Sequence, residues 1–195
     1  MKHSITVSDY GHVVTLDYAG LLDYHGGGAV AGATTGFRVM QVAAQELTGS
    51  EQPLERQNLY IVSGHPGPGY RDAFEYVSRC VTRRRFELQT GLPGGRLSPY
   101  QSYAFQFLIT DTQAGNQVTV TLHEGVIPVR FFEVLRDLGG PGQEKNKLED
   151  ELDRLKQEVA RKVLALPLDQ LFQVSVLDVA PSQVTGSKDP ATCLS

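Results

Sequence analysis

Apolar residues return at helical spacing along several stretches of the chain and alternate with polar ones along others. Residues 15 to 24 carry Leu16, Ala19 and Leu22 and predict a short helix. Residues 33 to 47, with Phe37, Met40, Ala44 and Leu47, predict a longer one that Thr48-Gly49-Ser50 stops. Residues 58 to 63 (NLYIVS) have strand composition and lead through Gly64-His65-Pro66-Gly67-Pro68-Gly69 into a helix over about 70–83. On that helix Ala73, Val77, Cys80 and Val81 share one apolar face. The segments SYAFQFLIT and QVTVTLH, joined by DTQAGN, predict a β-hairpin whose Gly and Asn supply the turn conformations.

Pro128 suits the start of a helix in which Val129, Phe132, Leu135 and Leu138 keep one face, with Gly139 just past its end. A Gly/Pro cluster at 139–142 then precedes a charged helix over 143–165. Its stripe is Leu148, Leu152, Leu155 and Val159, and Asp150/Arg154 and Glu158/Lys162 stand at i, i+4. The stripe is too short for a coiled coil, so the expectation is packing against the helix's own domain. In LFQVSVLDV, Phe172, Val174 and Val176 alternate with Gln173 and Ser175, which predicts a strand with one buried face. Helices and strands follow one another without regular βαβ alternation, so the fold class is α+β. The expected organisation is one domain over 1–181, with 143–165 inserted before the last strand, and a flexible tail over 182–195.

Composition narrows the functional classes. Hydrophobic residues make up 41% and charged residues 21% of the 195, as in folded globular chains. Eighteen Lys and Arg against 22 Asp and Glu leave a net charge of −4, which argues against a nucleic-acid footprint. No apolar run is long enough for a membrane span, and MKHSITVSDYGH lacks the apolar stretch of a secretory signal, so a cytoplasmic location is expected. Cys80 and Cys193 are too few for a disulfide framework or a four-cysteine zinc module.

Two Gly-rich segments hold the candidate chemistry. His25-Gly26-Gly27-Gly28 has the form of an oxyanion-hole segment of lipase-like esterases, yet no G-x-S-x-G elbow accompanies it; the plainer reading is a bend between two helices. The strand–GHPGPG–helix unit can present N–H groups to an anion or serve only as a tight connection. It has neither the Walker nor the dinucleotide glycine spacing. His25, His65 and Cys80 are of ligand type for zinc or another transition metal; each also reads as a hydrogen-bonded loop histidine or an inert buried cysteine. Arg83-Arg84-Arg85 can bind phosphate or cap a helix end.

With these segments in order, the chain resembles the family of the E subunit of formylmethanofuran dehydrogenase (FmdE) from about residue 15 to 181. LLDYHGGGAVAGATTGFRVM looks like the family's helix, F-H-G-H-x-C-P-G loop and G-Y-R helix, with Gly32, Gly36, Phe37 and Arg38 in the matching places. Asp72-Ala73 through Cys80 is similar to its D-A-I-Q…G-C segment. The YAF start and DTQAG turn of the hairpin, and ALPLDQLFQV, similar to P-x-x-x-L-F, complete the likeness. Where the family loop has a second histidine and a cysteine, this chain has residues among Gly27 to Val30, and a further family cysteine falls on Gly69.

The resemblance implies an FmdE-like core, a mixed or antiparallel sheet with a central β-hairpin packed against helices. It also implies a homodimer associated with a larger molybdenum or tungsten enzyme complex. The reading that follows is an accessory or binding protein without redox catalysis of its own. Its cleft is expected between the HGGG and GHPGPG loops, with His25, His65 and Cys80 as metal ligands. Arg38, Arg71, Asp72, Gly27 and Gly67 are expected to orient or bind the ligand. The alternative is a metal-free enzyme or sensor for a small anionic metabolite in the same cleft, with His65 as general acid or base and Arg38 or Arg71 holding the anion.

Overall fold

The computed structural model describes residues 3–49, 52–140 and 145–178. The expected tail and Cys193 lie outside them. The chain begins with a hairpin of β1 (Ser4–Asp9) and β2 (His12–Asp17), paired in register from Ser4 opposite Asp17 to Asp9 opposite His12. Tyr10 and Gly11 form the turn, at φ 51° and 85°, the left-handed pair that a two-residue hairpin connection requires. Ile5 and Val7 alternate into the core.

The hairpin corrects the helix expected over 15–24. Only α1 (Tyr18–His25) is helical, because the Asp17 carboxylate accepts from the Gly20 N–H at 2.9 Å and starts the helix there. Leu16 belongs to the strand, and Leu21 is the residue α1 buries.

A short β3 (Leu54–Glu55) joins β1 in parallel, completing a sheet of order β2-β1-β3. The larger sheet contains β4 (Leu59–Ser63), β5 (Phe86–Leu88), β6 (Gln106–Asp111), β7 (Asn116–Leu122) and β8 (Phe172–Asp178), in the order β5-β4-β6-β7-β8. β4 and β5 are parallel and the other pairs antiparallel, so the sheet is mixed, with the β6–β7 hairpin inside it. At the hairpin turn the Asp111 carboxylate accepts from the N–H groups of Gln113 and Ala114, at 2.9 and 3.0 Å.

One row across the sheet runs Ile61, Ile109, Val118, Val176; the next runs Ser63, Phe107, Val120, Val174. The inner members of both rows are fully buried, but Val174 and Val176 are 36% and 45% exposed. The buried face expected of this last strand is therefore confined to Phe172 and the strand's start. β8 is an edge strand, and its apolar side continues past the helix that covers β7.

That helix is α2 (Val30–Thr48), buried around most of its circumference from Val30 to Ala43, as a central core helix must be. Across it lies α3 (Pro68–Ser78). The crossing is close because glycines line it: a Cβ on Gly36 would stand 2.8 Å from the Ala73 Cβ, and one on Gly69 2.5 Å from the Ala33 nitrogen.

α3 stops at Ser78, five residues short of the expected 83, because Arg79 turns left-handed at φ 56°. The Glu75 carboxylate then caps the following turn, accepting from the N–H groups of Val81 and Thr82 at 2.7 and 3.1 Å. Cys80 is buried, as expected, but beyond the helix instead of on its face.

α4 (Val129–Leu138) starts after Pro128. α5 (Lys145–Ala165) lays Leu152, Leu155 and Val159 against α2 and α4, as its stripe predicts. Its ion pairs differ from those expected: Arg154 bonds Glu158 at 2.5 Å, Lys156 bonds Asp153 at 2.8 Å, and Lys162 donates to the Gly125 carbonyl at 2.6 Å. A short α6 (Leu168–Leu171) leads into β8.

Candidate functional site

The first turns of α2 and α3 meet near the sheet end where β4 becomes the GHPGPG loop, and His65 is held there from several sides. Its own N–H donates to the Ser63 hydroxyl at 3.2 Å, and that hydroxyl donates to the His65 carbonyl at 2.9 Å. The Gly67 N–H donates to His65 Nδ1 at 2.9 Å, so Nδ1 carries no proton and Nε2 carries it. The ring is enclosed by Tyr70, Tyr103 and Phe105, with centroids 4.4, 4.3 and 4.6 Å away. Burial among these rings pushes its pKa down to about 3. His65 is therefore neutral at physiological pH, and no described group accepts from Nε2–H. An acid–base role resting on a pKa near neutrality does not fit this environment.

His65 lines a half-enclosed cavity of about 280 Å³. One wall is the first part of α2, with Ala31, Gly32 and Thr35; another is the loop and first turn of α3. Phe105, Phe131 and Val159 close the far side. The lining is overwhelmingly apolar and contains no Asp or Glu; Lys156 of α5 is its charged side chain. Lys156 also lines an adjoining, more polar cavity of about 360 Å³, between Gly27-Gly28 and the Asp153–Gln157 turn of α5. The first turn of α2 is thus shared, with Val30 facing the polar space and Ala31 and Gly32 the apolar one.

His25 sets the position of that turn. Its Nδ1–H donates to the Asp72 carboxylate at 2.7 Å, and its Nε2 accepts from the Ala29 N–H at 2.9 Å. One imidazole thereby ties the end of α1 to the first turns of α2 and α3, with its side chain only 5% exposed. Gly26 makes this possible: in the left-handed conformation it ends α1 and donates its N–H to the Leu22 carbonyl at 3.0 Å.

Of the residues singled out in the sequence, His65 and Gly67 line the apolar cavity and Gly27 the polar one. His25 and Asp72 support its wall. Arg38 lies elsewhere: 7% exposed, it donates to Gln41 at 2.6 Å and to the Leu166 carbonyl at 2.7 Å, joining α2 to the end of α5. Arg71 is exposed and lines neither cavity. Arg83 bonds Asp9 at 2.6 Å and fastens the first hairpin to the turn after α3.

The residues expected as one metal-ligand set do not come together. Among the described residues no three His, Cys, Asp or Glu side chains are gathered so as to hold a metal ion. Both nitrogens of His25 are engaged, His65 offers a protonated Nε2, and burial pushes the Cys80 thiol up to about 12. These donors do not fit a resident zinc. Lys156, Tyr103 and Phe105 were not legible as site residues. A lysine in a charged helix reads as solvated, and YAF reads as the start of a strand, whereas β6 begins only at Gln106.

The chain matches no family model and no curated protein. Among solved structures it is similar to the crystal structure of an FmdE-like protein, one resembling the E subunit of tungsten formylmethanofuran dehydrogenase, from Syntrophus aciditrophicus. The likeness has a TM-score of 0.46 and 15% identity, and it covers 89% of this chain and 78% of that one. Among the described residues no helix is long and apolar enough to cross a membrane.

Proposed function

We propose that the protein is a binding protein whose ligand is a small, mainly apolar molecule held in the 280 Å³ cavity between the two Gly-rich loops. The observation that carries this reading is a neutral histidine, to whose Nε2–H no described group is bonded, in the lining of a half-enclosed and mainly apolar cavity. Apolar surface gains from ring and methyl contacts, and the histidine N–H fixes orientation by bonding one acceptor on the ligand. The loop glycines shape the cavity: Gly67 positions the histidine and Gly69 lets α3 approach α2. An accessory role in a larger assembly is compatible with a protein that binds without reacting.

The test is calorimetric titration of the full chain with a neutral aromatic probe, 3-phenylpropan-1-ol, against wild type and Leu135→Trp, which fills the cavity from α4. Binding to wild type and at least tenfold weaker binding to the filled variant are expected. Absence of binding to wild type, or equal binding to a folded Leu135→Trp protein, overturns the reading. Elemental analysis of the same sample reads metal content independently; a stoichiometric transition metal lost on His65→Ala would replace this proposal with a metal site.

A further inference from the structure

The two cavities share Lys156 and adjoin along the first turn of α2, so a molecule filling the apolar one lies beside a cation. Resting on the binding role above, we infer that the ligand is an aromatic or branched monocarboxylate: its hydrocarbon body lies against His65, Tyr103 and Phe105, and its carboxylate lies against the Lys156 ammonium.

Size comes from the cavity. An apolar cavity of about 150 Å³ accepts benzene, so one of about 280 Å³ takes roughly eleven non-hydrogen atoms, a ring with a three-carbon acid chain.

Charge comes from the lining. No Asp or Glu lines the apolar cavity. In the polar one the carboxylate is Asp153, whose side chain is 73% exposed while that of Lys156 is 23% exposed. The bond between them, Lys156 Nζ to Asp153 at 2.8 Å, is an i, i+3 surface pair of the kind that contributes little and yields to a better-placed anion. Arg154, on the same polar wall, is already bonded to Glu158 on its own helix.

The shared turn adds to this preference. α2 has no side-chain cap and its first internal bond is from the Ala33 N–H to the Ala29 carbonyl, so Val30, Ala31 and Gly32, which line the two spaces, stand at the positive end of the helix dipole. An ammonium ligand would meet like charge at both groups. A neutral one would leave Lys156 with its exposed partner only. His65, elsewhere in the lining, is uncharged and offers one donor, too little to hold a carboxylate away from water, so the acid group stays beside the lysine.

The test compares three probes of one shape on the full chain: 3-phenylpropionate, 3-phenylpropan-1-ol and 3-phenylpropylamine, titrated at low salt into wild type, Lys156→Met and Lys156→Arg. Wild type is expected to bind the acid at least tenfold more tightly than the alcohol, and the amine most weakly. Lys156→Met is expected to lose about tenfold for the acid and to keep the alcohol within twofold, which also reports that it is folded; Lys156→Gln takes its place if it is not. Lys156→Arg is expected to keep the preference. If the alcohol or the amine binds wild type as tightly as the acid, the inference falls and the cavity reading stands. If the acid keeps its advantage without the lysine, Lys156 is not the anchor and the inference falls. If none of the three binds, both fall.

Discussion

The ring nitrogen of His65 that faces the Gly67 N–H carries no proton, and its neighbours are the rings of Tyr70, Tyr103 and Phe105. Protonation would place a charge among these rings and turn Nδ1 from acceptor into donor against another donor. Its folded pKa, about 3, lies below the 6.5 of an unperturbed histidine. Between these values the unfolded chain binds the extra proton, so this residue's contribution to stability is complete above pH 6.5 and is lost as pH falls toward 3. The slope is on the order of 1.4 kcal/mol per pH unit at most. His65→Gln removes the titration while keeping an amide donor and acceptor. Melting temperatures taken across that range should fall less steeply with acid in the variant than in wild type, and parallel curves would refute the assignment. Both loop histidines were visible in the sequence as polar groups in Gly-rich surroundings. Their partners were not: Asp72 is 47 positions from His25, and Tyr103 and Phe105 come from beyond a long loop.

At the scale of elements, the crossing of α2 and α3 decides where the cavity lies. Gly36 faces the Ala73 methyl, and Gly69 faces the backbone of Ala29 to Ala33. Gly36→Ala forces two methyl groups to within 2.8 Å, and the helices must separate. A loss of about 1–3 kcal/mol is expected, as for other overpacked core positions, read as the shift of a urea midpoint. Ala73→Gly in the same chain should recover part of it, because the clash needs both methyls, and simple additivity of the two substitutions would exclude the contact as its cause.

Helical periodicity located α2, α4 and α5 to within a few residues, because in each the apolar residues recur at helical spacing. It failed at residues 15–24, where Leu16, Ala19 and Leu22 fit a helix although alternation and the Tyr10-Gly11 turn pair the first half as β2. It also ran α3 past Ser78, since apolar spacing continues through Cys80 and Val81 while Glu75 and the left-handed Arg79 end the helix. β5, three residues long, has too few positions for any period.

Taken whole, the molecule is an α+β fold in which α2 is enclosed by the large sheet, α3 and α5, and β8 extends past that cover. Val118 and Val120 are fully buried, whereas Val176 and Val174, beside them in the same rows, are partly exposed. Val174→Thr with Val176→Thr should therefore change stability by no more than about 0.5 kcal/mol. Val120→Thr should cost about 1–3 kcal/mol by burying a hydroxyl. Urea midpoints for the two variants check this, and similar losses in both would show that β8 is covered in solution. Local sequence determined what depends on neighbours in the chain: the α+β class, the central hairpin with its DTQAGN turn, the helix starting after Pro128, the apolar stripe of α5, and the burial of Cys80. Tertiary structure alone decided which side chains share a space. It did not gather His25, His65 and Cys80 into one ligand group, bound Arg38 to the end of α5, and brought Lys156 from a charged helix into the lining of a cavity it shares with His65. The reason is that a periodic pattern reports which face of an element is buried, whereas a site is made by elements distant in sequence whose meeting depends on glycine clearances and crossing geometry that no period encodes.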